Sequence, residues 1–215
     1  VGADAENISY TGGSGNDKIT FAATFTAYDA VDGGDGTDTI ALSGITSFNP
    51  VTLGSITNTE IIQIEATNNN NITASNFDKT TATALHWVEN DTTGKNLTVS
   101  TLKAGDTVGI IQNNNGAVGT ATLGLKDASG TADELNLELY GKDGDTKARN
   151  TVADVSFTSV ETLNITSDVV TTLGNERLVT ANTEANVISD ISADTSLTTI
   201  NVSGNDNIDL TIGGE

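Results

Sequence analysis

The sequence predicts an all-β fold: a short β-roll over residues 1–45 leading into an irregular right-handed parallel β-helix or solenoid over residues 46–215. Three observations carry that expectation. Thr, Val, Ile, Asn, Asp and Gly dominate, with a single proline; β-branched side chains suit a pleated backbone, and Asn, Asp and Gly suit tight turns. Two glycine-rich segments of one pattern begin 21 residues apart, at Gly12 and Gly33. Short stretches of alternating apolar and polar residues recur behind an acidic residue, as stacked coils with one buried face require.

The two glycine-rich segments read Gly12-Gly13-Ser14-Gly15-Asn16-Asp17-Lys18-Ile19-Thr20 and Gly33-Gly34-Asp35-Gly36-Thr37-Asp38-Thr39-Ile40-Ala41. Both match G-G-x-G-x-D-x-U-x, the nonapeptide of calcium-binding β-rolls. Calcium is a hard cation that takes oxygen from carboxylates and backbone carbonyls. Glycine lets the backbone turn those carbonyls inward, the aspartate supplies charge, and the apolar eighth residue (Ile19, Ile40) enters the core. One coil of such a roll takes about 18 residues, so a spacing of 21 stacks the loops on one side, with the excess absorbed around residues 22–31. The expected site is one shared ion held by Asp17 and Asp38, with carbonyls from Gly12, Ser14, Gly34 and Gly36. Asp29 and Asp32 form only a degenerate counterpart opposite. The plain alternative is two glycine-rich turns with solvated aspartates.

The acid-led strands are of two kinds. Asp38-Thr39-Ile40-Ala41-Leu42, Asp133-Glu134-Leu135-Asn136-Leu137 and Asp206-Asn207-Ile208-Asp209-Leu210 form the first. Glu60-Ile61-Ile62-Gln63-Ile64 and Glu161-Thr162-Leu163-Asn164-Ile165 form the second, with Thr198-Thr199-Ile200-Asn201-Val202 as a relative lacking the acid. Asp38 precedes Glu60 by 22 residues and Asp133 precedes Glu161 by 28. The two sets lie about a hundred residues apart, a weak internal duplication consistent with stacked similar coils. A turn-rich stretch marks a seam near residues 103–130. Residues 76–87 offer at best one helical turn. Asp133, Glu161 and Asp168 suit either a calcium brace between coils or a solvated strand end. Asp206 lies in a truncated loop match, and Asp143-Gly144-Asp145 is either a further calcium loop or a plain turn.

Charge and composition exclude several classes. The net charge is −20, from 29 acidic against 9 basic residues, which opposes a nucleic-acid partner. Such a chain repels itself unless a divalent cation neutralises it. There is no cysteine, hence no disulfide, thiolate metal site or cysteine nucleophile. No apolar stretch is long enough to span a bilayer. The chain has no methionine, opens at Val1, and is read as a segment of a longer protein, so a missing signal peptide says nothing about export. Enzymatic readings are disfavoured. His86 is the sole histidine, no Gly-x-Ser-x-Gly elbow accompanies it, and His86-Trp87 is expected as a packed pair in the body of the domain. Acidic pairs for glycoside hydrolysis abound, but a sugar cleft usually presents more aromatics than the 4 % here.

On its two G-G-x-G-x-D loops the chain resembles RTX proteins, which Gram-negative bacteria export by type I secretion. The order of an RTX pair, then Thr37-Asp38-Thr39-Ile40-Ala41-Leu42, Glu60-Ile61-Ile62-Gln63-Ile64 and Val160-Glu161-Thr162-Leu163-Asn164-Ile165, is similar to the lattice-forming C-terminal region of RTX-type S-layer proteins. The likeness covers roughly residues 8–212. It implies a non-enzymatic protein secreted unfolded, folded outside the cell by several calcium ions, and assembled with copies of itself into a two-dimensional cell-surface layer. Lipopolysaccharide would be met through another part of the full-length protein, with no membrane insertion. Calcium positions carry over to Asp17 and Asp38, then to Glu60, Asp133 and Glu161. The departure is that only two clean nonapeptides are present, which puts a long regular β-roll in doubt. The rival readings are a module of a large RTX adhesin or biofilm protein, and the non-catalytic appendage of an RTX enzyme.

Overall fold

A computed structural model describes residues 7–22, 25, 28–43, 55–66, 70–78, 80–89, 94–112, 118–142, 150–170, 185–193 and 195–213. The chain forms β1 (Ser9–Thr11), β2 (Lys18–Ala22), β3 (Ala30–Asp32), β4 (Thr39–Ser43), β5 (Ser55–Thr57), β6 (Ile61–Ala66), β7 (Asn70–Thr73), β8 (Ala84–Glu89) and β9 (Leu97–Leu102). It continues as β10 (Thr107–Gln112), β11 (Val118–Leu125), β12 (Glu134–Lys142), β13 (Thr151–Phe157), β14 (Thr162–Val170), β15 (Asn186–Ile188), β16 (Ile191–Ala193), β17 (Thr199–Gly204) and β18 (Ile208–Leu210). A single turn of 3-10 helix, Ala74–Phe77, is the only helical segment among the described residues. It begins two residues before the stretch 76–87 that offered one helical turn.

The fold is the all-β parallel solenoid that the sequence predicts. Every strand pairing among the described residues is parallel. One sheet of eight strands runs β2-β4-β6-β8-β10-β12-β14-β17. Across the core lie a sheet of three, β1-β3-β5, and a sheet of seven built on β7-β9-β11-β13-β15-β18, with β16 also on β13. Each coil thus contributes a strand to one face and then a strand to the eight-stranded face. Parallel neighbours demand a full crossover between them, and here the opposite face of the coil is that crossover.

Register turns the alternating pattern into columns. Ile19, Ile40, Ile62, Leu85, Val108, Leu137 and Ile165 stack one above the next, all buried. Phe21, Leu42, Ile64, Trp87, Ile110 and Leu139 form a second buried column beside it. Ile72, Val99, Leu123 and Phe157 face them from the other sheet. Each such side chain contributes about 1.5–3 kcal/mol on burial. Outside the eight-stranded sheet, Asn201 Nδ2 donates to Asn164 Oδ1 (2.8 Å) and Asn164 Nδ2 donates to Asn136 Oδ1 (2.8 Å), an amide ladder across three coils.

The two ends of the stack differ. At the first coil Ile19 and Phe21 stay buried, and Phe25 packs edge-on against Phe21 with ring centroids 4.7 Å apart. At the last coil the column of Ile165 ends on Val202, which is 51 % exposed, and Ile212 is 60 % exposed. Ile200, Ile208 and Leu210 are only partly buried there.

Candidate metal centre

Where the chain turns into the eight-stranded sheet it leaves the strand ladder, and its N–H groups need other acceptors. Acidic side chains of the next coil supply them. Asp17 N–H donates to Asp38 Oδ1 (2.7 Å), 21 residues on, and Asp38 N–H donates to Glu60 Oε2 (2.8 Å), 22 residues on. Asp133 N–H likewise donates to Glu161 Oε2 (2.7 Å), 28 residues on. The main chain follows the same column: Thr39 N–H meets Asp17 O (2.8 Å), Ile61 N–H meets Asp38 O (3.0 Å), and Thr162 N–H meets Asp133 O (3.1 Å). Charge-assisted bonds of this kind are short and strong. The acids of both strand families therefore occupy one corner, and the spacings of 22 and 28 residues are each one coil. Asp206 is the exception, since its strand β18 belongs to the opposite sheet.

The two glycine-rich loops stack in the expected register. Gly12 N–H donates to Asp32 O (2.7 Å), Asp35 N–H to Gly13 O (2.9 Å), and Thr37 N–H to Asn16 Oδ1 (2.9 Å). Gly12 and Ser14 lie in the first loop, and Gly34 and Gly36 in the loop of the next coil. Asp29 Oδ1 accepts Ile8 N–H (3.0 Å), which joins the first two coils on the opposite face. A side chain on Gly12 would begin 1.8 Å from the carbonyl oxygen of Gly33 and 2.8 Å from Asp17 Oδ2. On Gly33 it would begin 1.9 Å from the carbonyl oxygen of Asn58 and 2.6 Å from Asp38 Oδ2. Each of these two junctions thus pairs a carboxylate oxygen with a carbonyl of the following coil.

The remaining candidates fall at other places. Asp168, near the end of β14, and Asp206, in the turn between β17 and β18, are far apart in sequence but close in space. Asp168 is 8 % exposed and accepts Asn205 N–H (2.9 Å), while Asp206 N–H donates to Ser167 O (3.0 Å). Burial pushes the Asp206 carboxyl above its ordinary range; the Asn207 N–H opposes that shift and the charge of Asp168 adds to it. Asp143-Gly144-Asp145 lies outside the described residues.

Buried carboxylate oxygens without a donor recur. Among the described residues these are Asp38 Oδ2, Asp133 Oδ2, Asp154 Oδ1, Asp190 Oδ1 and Asp206 Oδ2. An unsatisfied buried acceptor costs about 1–3 kcal/mol, and more when charged. The donor set is all hard oxygen, which fits a calcium-type cation. No group of three or more His, Cys, Asp and Glu side chains converges as a metal site among the described residues. Any ion there would draw most of its ligands from carbonyls and water. Asp154 and Asp190 were missed by the loop pattern because no glycine flanks them. Their only signal is an aspartate directly before a β-branched residue.

His86 and Trp87 are both buried, but on opposite faces of β8. Trp87 is in the core, whereas His86 Nε2 lies 3.1 Å from Glu138 Oε2, across Gly109. Tyr140 donates to the same Glu138 oxygen (2.8 Å). Burial raises the Glu138 carboxyl, but the bonds from His86 and Tyr140 outweigh it and hold the group below its usual value of 4.5. A depressed carboxylate stabilises the fold above its unfolded pKa and loses that contribution as pH falls below it. Parent protein should therefore exceed Glu138→Gln in urea midpoint above about pH 5, with the gap closing as pH falls below the ordinary glutamate pKa of about 4.3. A gap independent of pH would remove Glu138's charge from the account.

No protein-family model matches this sequence, and no curated protein or solved structure matches it. No helix among the described residues is long and apolar enough to cross a membrane, which leaves β-barrels unaddressed.

Proposed function

We propose that this chain is a non-enzymatic structural segment of an RTX-type bacterial surface layer, exported from the cell, folded by calcium and self-assembling into a lattice. The observation that carries the reading is the set of buried aspartate oxygens without donors on a solenoid of charge −20. Asp38 Oδ2 lies with a carbonyl of the next coil beside Gly33, so a cation there braces the stack as a disulfide would in a chain that has none. The stacked G-G-x-G-x-D loops support calcium as that cation. His86 is committed to Glu138 and 3 % exposed, which supports the non-enzymatic part.

Self-association is supported by the charge: with 29 acidic residues against 9 basic ones, two copies repel until a cation intervenes. Particle size should therefore rise with calcium beyond the concentration that completes the circular dichroism change, and negative-stain images should show sheets. A chain that folds fully yet stays monomeric at millimolar calcium and high protein concentration would move the reading to an adhesin module.

A further inference from the structure

Asp17 and Asp38 occupy equivalent positions, but their oxygens face different junctions. Asp17 Oδ2 points with the Gly33 carbonyl into the gap between the first and second coils, and it accepts Gly13 N–H (3.1 Å). Asp38 is 0 % exposed. Its Oδ1 is taken by Asp17 N–H (2.7 Å), and its own N–H is held by Glu60 (2.8 Å). Its Oδ2 has no donor among the described residues, and it lies with the Asn58 carbonyl beside Gly33, between the second and third coils.

The third coil has no glycine-rich nonapeptide at this place; its turn is only Asn58-Thr59-Glu60. Asn58 nevertheless adopts a left-handed φ of +47°, which asparagine tolerates better than most residues. Its side chain is fixed by a bond from Nδ2 to Asp32 Oδ1 (2.8 Å), an oxygen that also accepts Gly34 N–H (3.3 Å). Both oxygens facing the gap are acceptors, so neither can satisfy the other. A cation satisfies both.

We propose that a calcium-type divalent cation binds between the second and third coils, with Asp38 Oδ2 and the main-chain carbonyl of Asn58 among its ligands. It is separate from an ion at the first junction served by Asp17, so the two loop aspartates do not share one ion. This rests on the calcium reading above and adds a site outside any complete nonapeptide pair.

The test counts calcium by isothermal titration on the whole 215-residue chain, stripped with chelator and dialysed. Asp17→Asn should lose one ion, Asp38→Asn one ion, and the double variant two. Asn58→Val, whose β-branched side chain resists positive φ, should weaken one ion at least tenfold, whereas Asn58→Gly should retain it. Circular dichroism at saturating calcium controls for folding, and the Asn58 pair decides the matter if Asp38→Asn fails to fold. A double variant that loses a single ion, or unchanged affinities in Asn58→Val, would overturn the second site while leaving calcium binding intact. A parent chain that binds no calcium would instead remove the calcium reading, and this site with it.

Discussion

Excess chelator should lower the melting temperature of this chain by about 10 °C or more for each ion removed. A ligand bound only by the native state, at a thousandfold excess over its Kd, stabilises by about 4 kcal/mol. For a chain of this length, 1 kcal/mol corresponds to roughly 2–4 °C. The effect should exceed ordinary screening, because the oxygens concerned are buried and lack donors. Added sodium chloride shortens the Debye length and relieves repulsion among exposed carboxylates, yet it supplies no ligand-hungry charge to Asp38 Oδ2. Melting curves in chelator should therefore stay low at 0.5 M salt, about 4 Å in Debye length, and recover on adding calcium. A melting curve that chelator leaves unchanged would sink the calcium-dependent fold.

Much of the corner was legible because its chemistry repeats. An acid preceding an alternating strand appears at Asp38, Glu60, Asp133 and Glu161, and the structure puts all four at one corner of the coil. The sequence separates them into two families because aspartate and glutamate differ in reach, whereas Asp38, Glu60 and Glu161 each accept an N–H at the same bend and Asp133 donates its own N–H there. A fixed period was not there to find. Neighbouring coils are offset by 21 residues at Lys18 and Thr39, 23 at Ala84 and Thr107, and 37 at Asn164 and Asn201. Insertions enter between strands without disturbing the columns, so only the strands keep register. His86-Trp87 shows a different limit. Adjacent strand residues point to opposite faces, which argues against a packed pair. What the sequence hides is that the outer face of the sheet is also covered there, with Ala41, Gln63 and His86 in one buried row. Asp154 and Asp190 were invisible because burial, not a glycine pattern, distinguishes them.

Gly34→Ala should destabilise the chain by about 2–5 kcal/mol, and Gly105→Ala by only about 1–2 kcal/mol. Both glycines hold left-handed backbone, with φ of +96° and +86°. An L side chain in that region costs roughly 1–2 kcal/mol, so the two substitutions share this strain. They differ in what the new methyl meets. At Gly105 nothing lies within 4 Å, although its N–H is bonded to Glu134 O (2.9 Å). At Gly34 the methyl would start 2.2 Å from the carbonyl oxygen of Gly13, which already accepts Asp35 N–H (2.9 Å). That oxygen is main chain on the neighbouring coil, so the coils must part, and forced overpacking of this kind adds about 1–3 kcal/mol. Urea midpoints at saturating calcium measure the difference directly. Gly34→Ala should also weaken calcium binding, because parting the first two coils opens the junction that Asp17 faces, while Gly105→Ala should leave the affinities unchanged. Equal losses in the two variants would mean that the glycine-rich loops are not in close register, and the junction between them would then lack the geometry a shared set of oxygens requires.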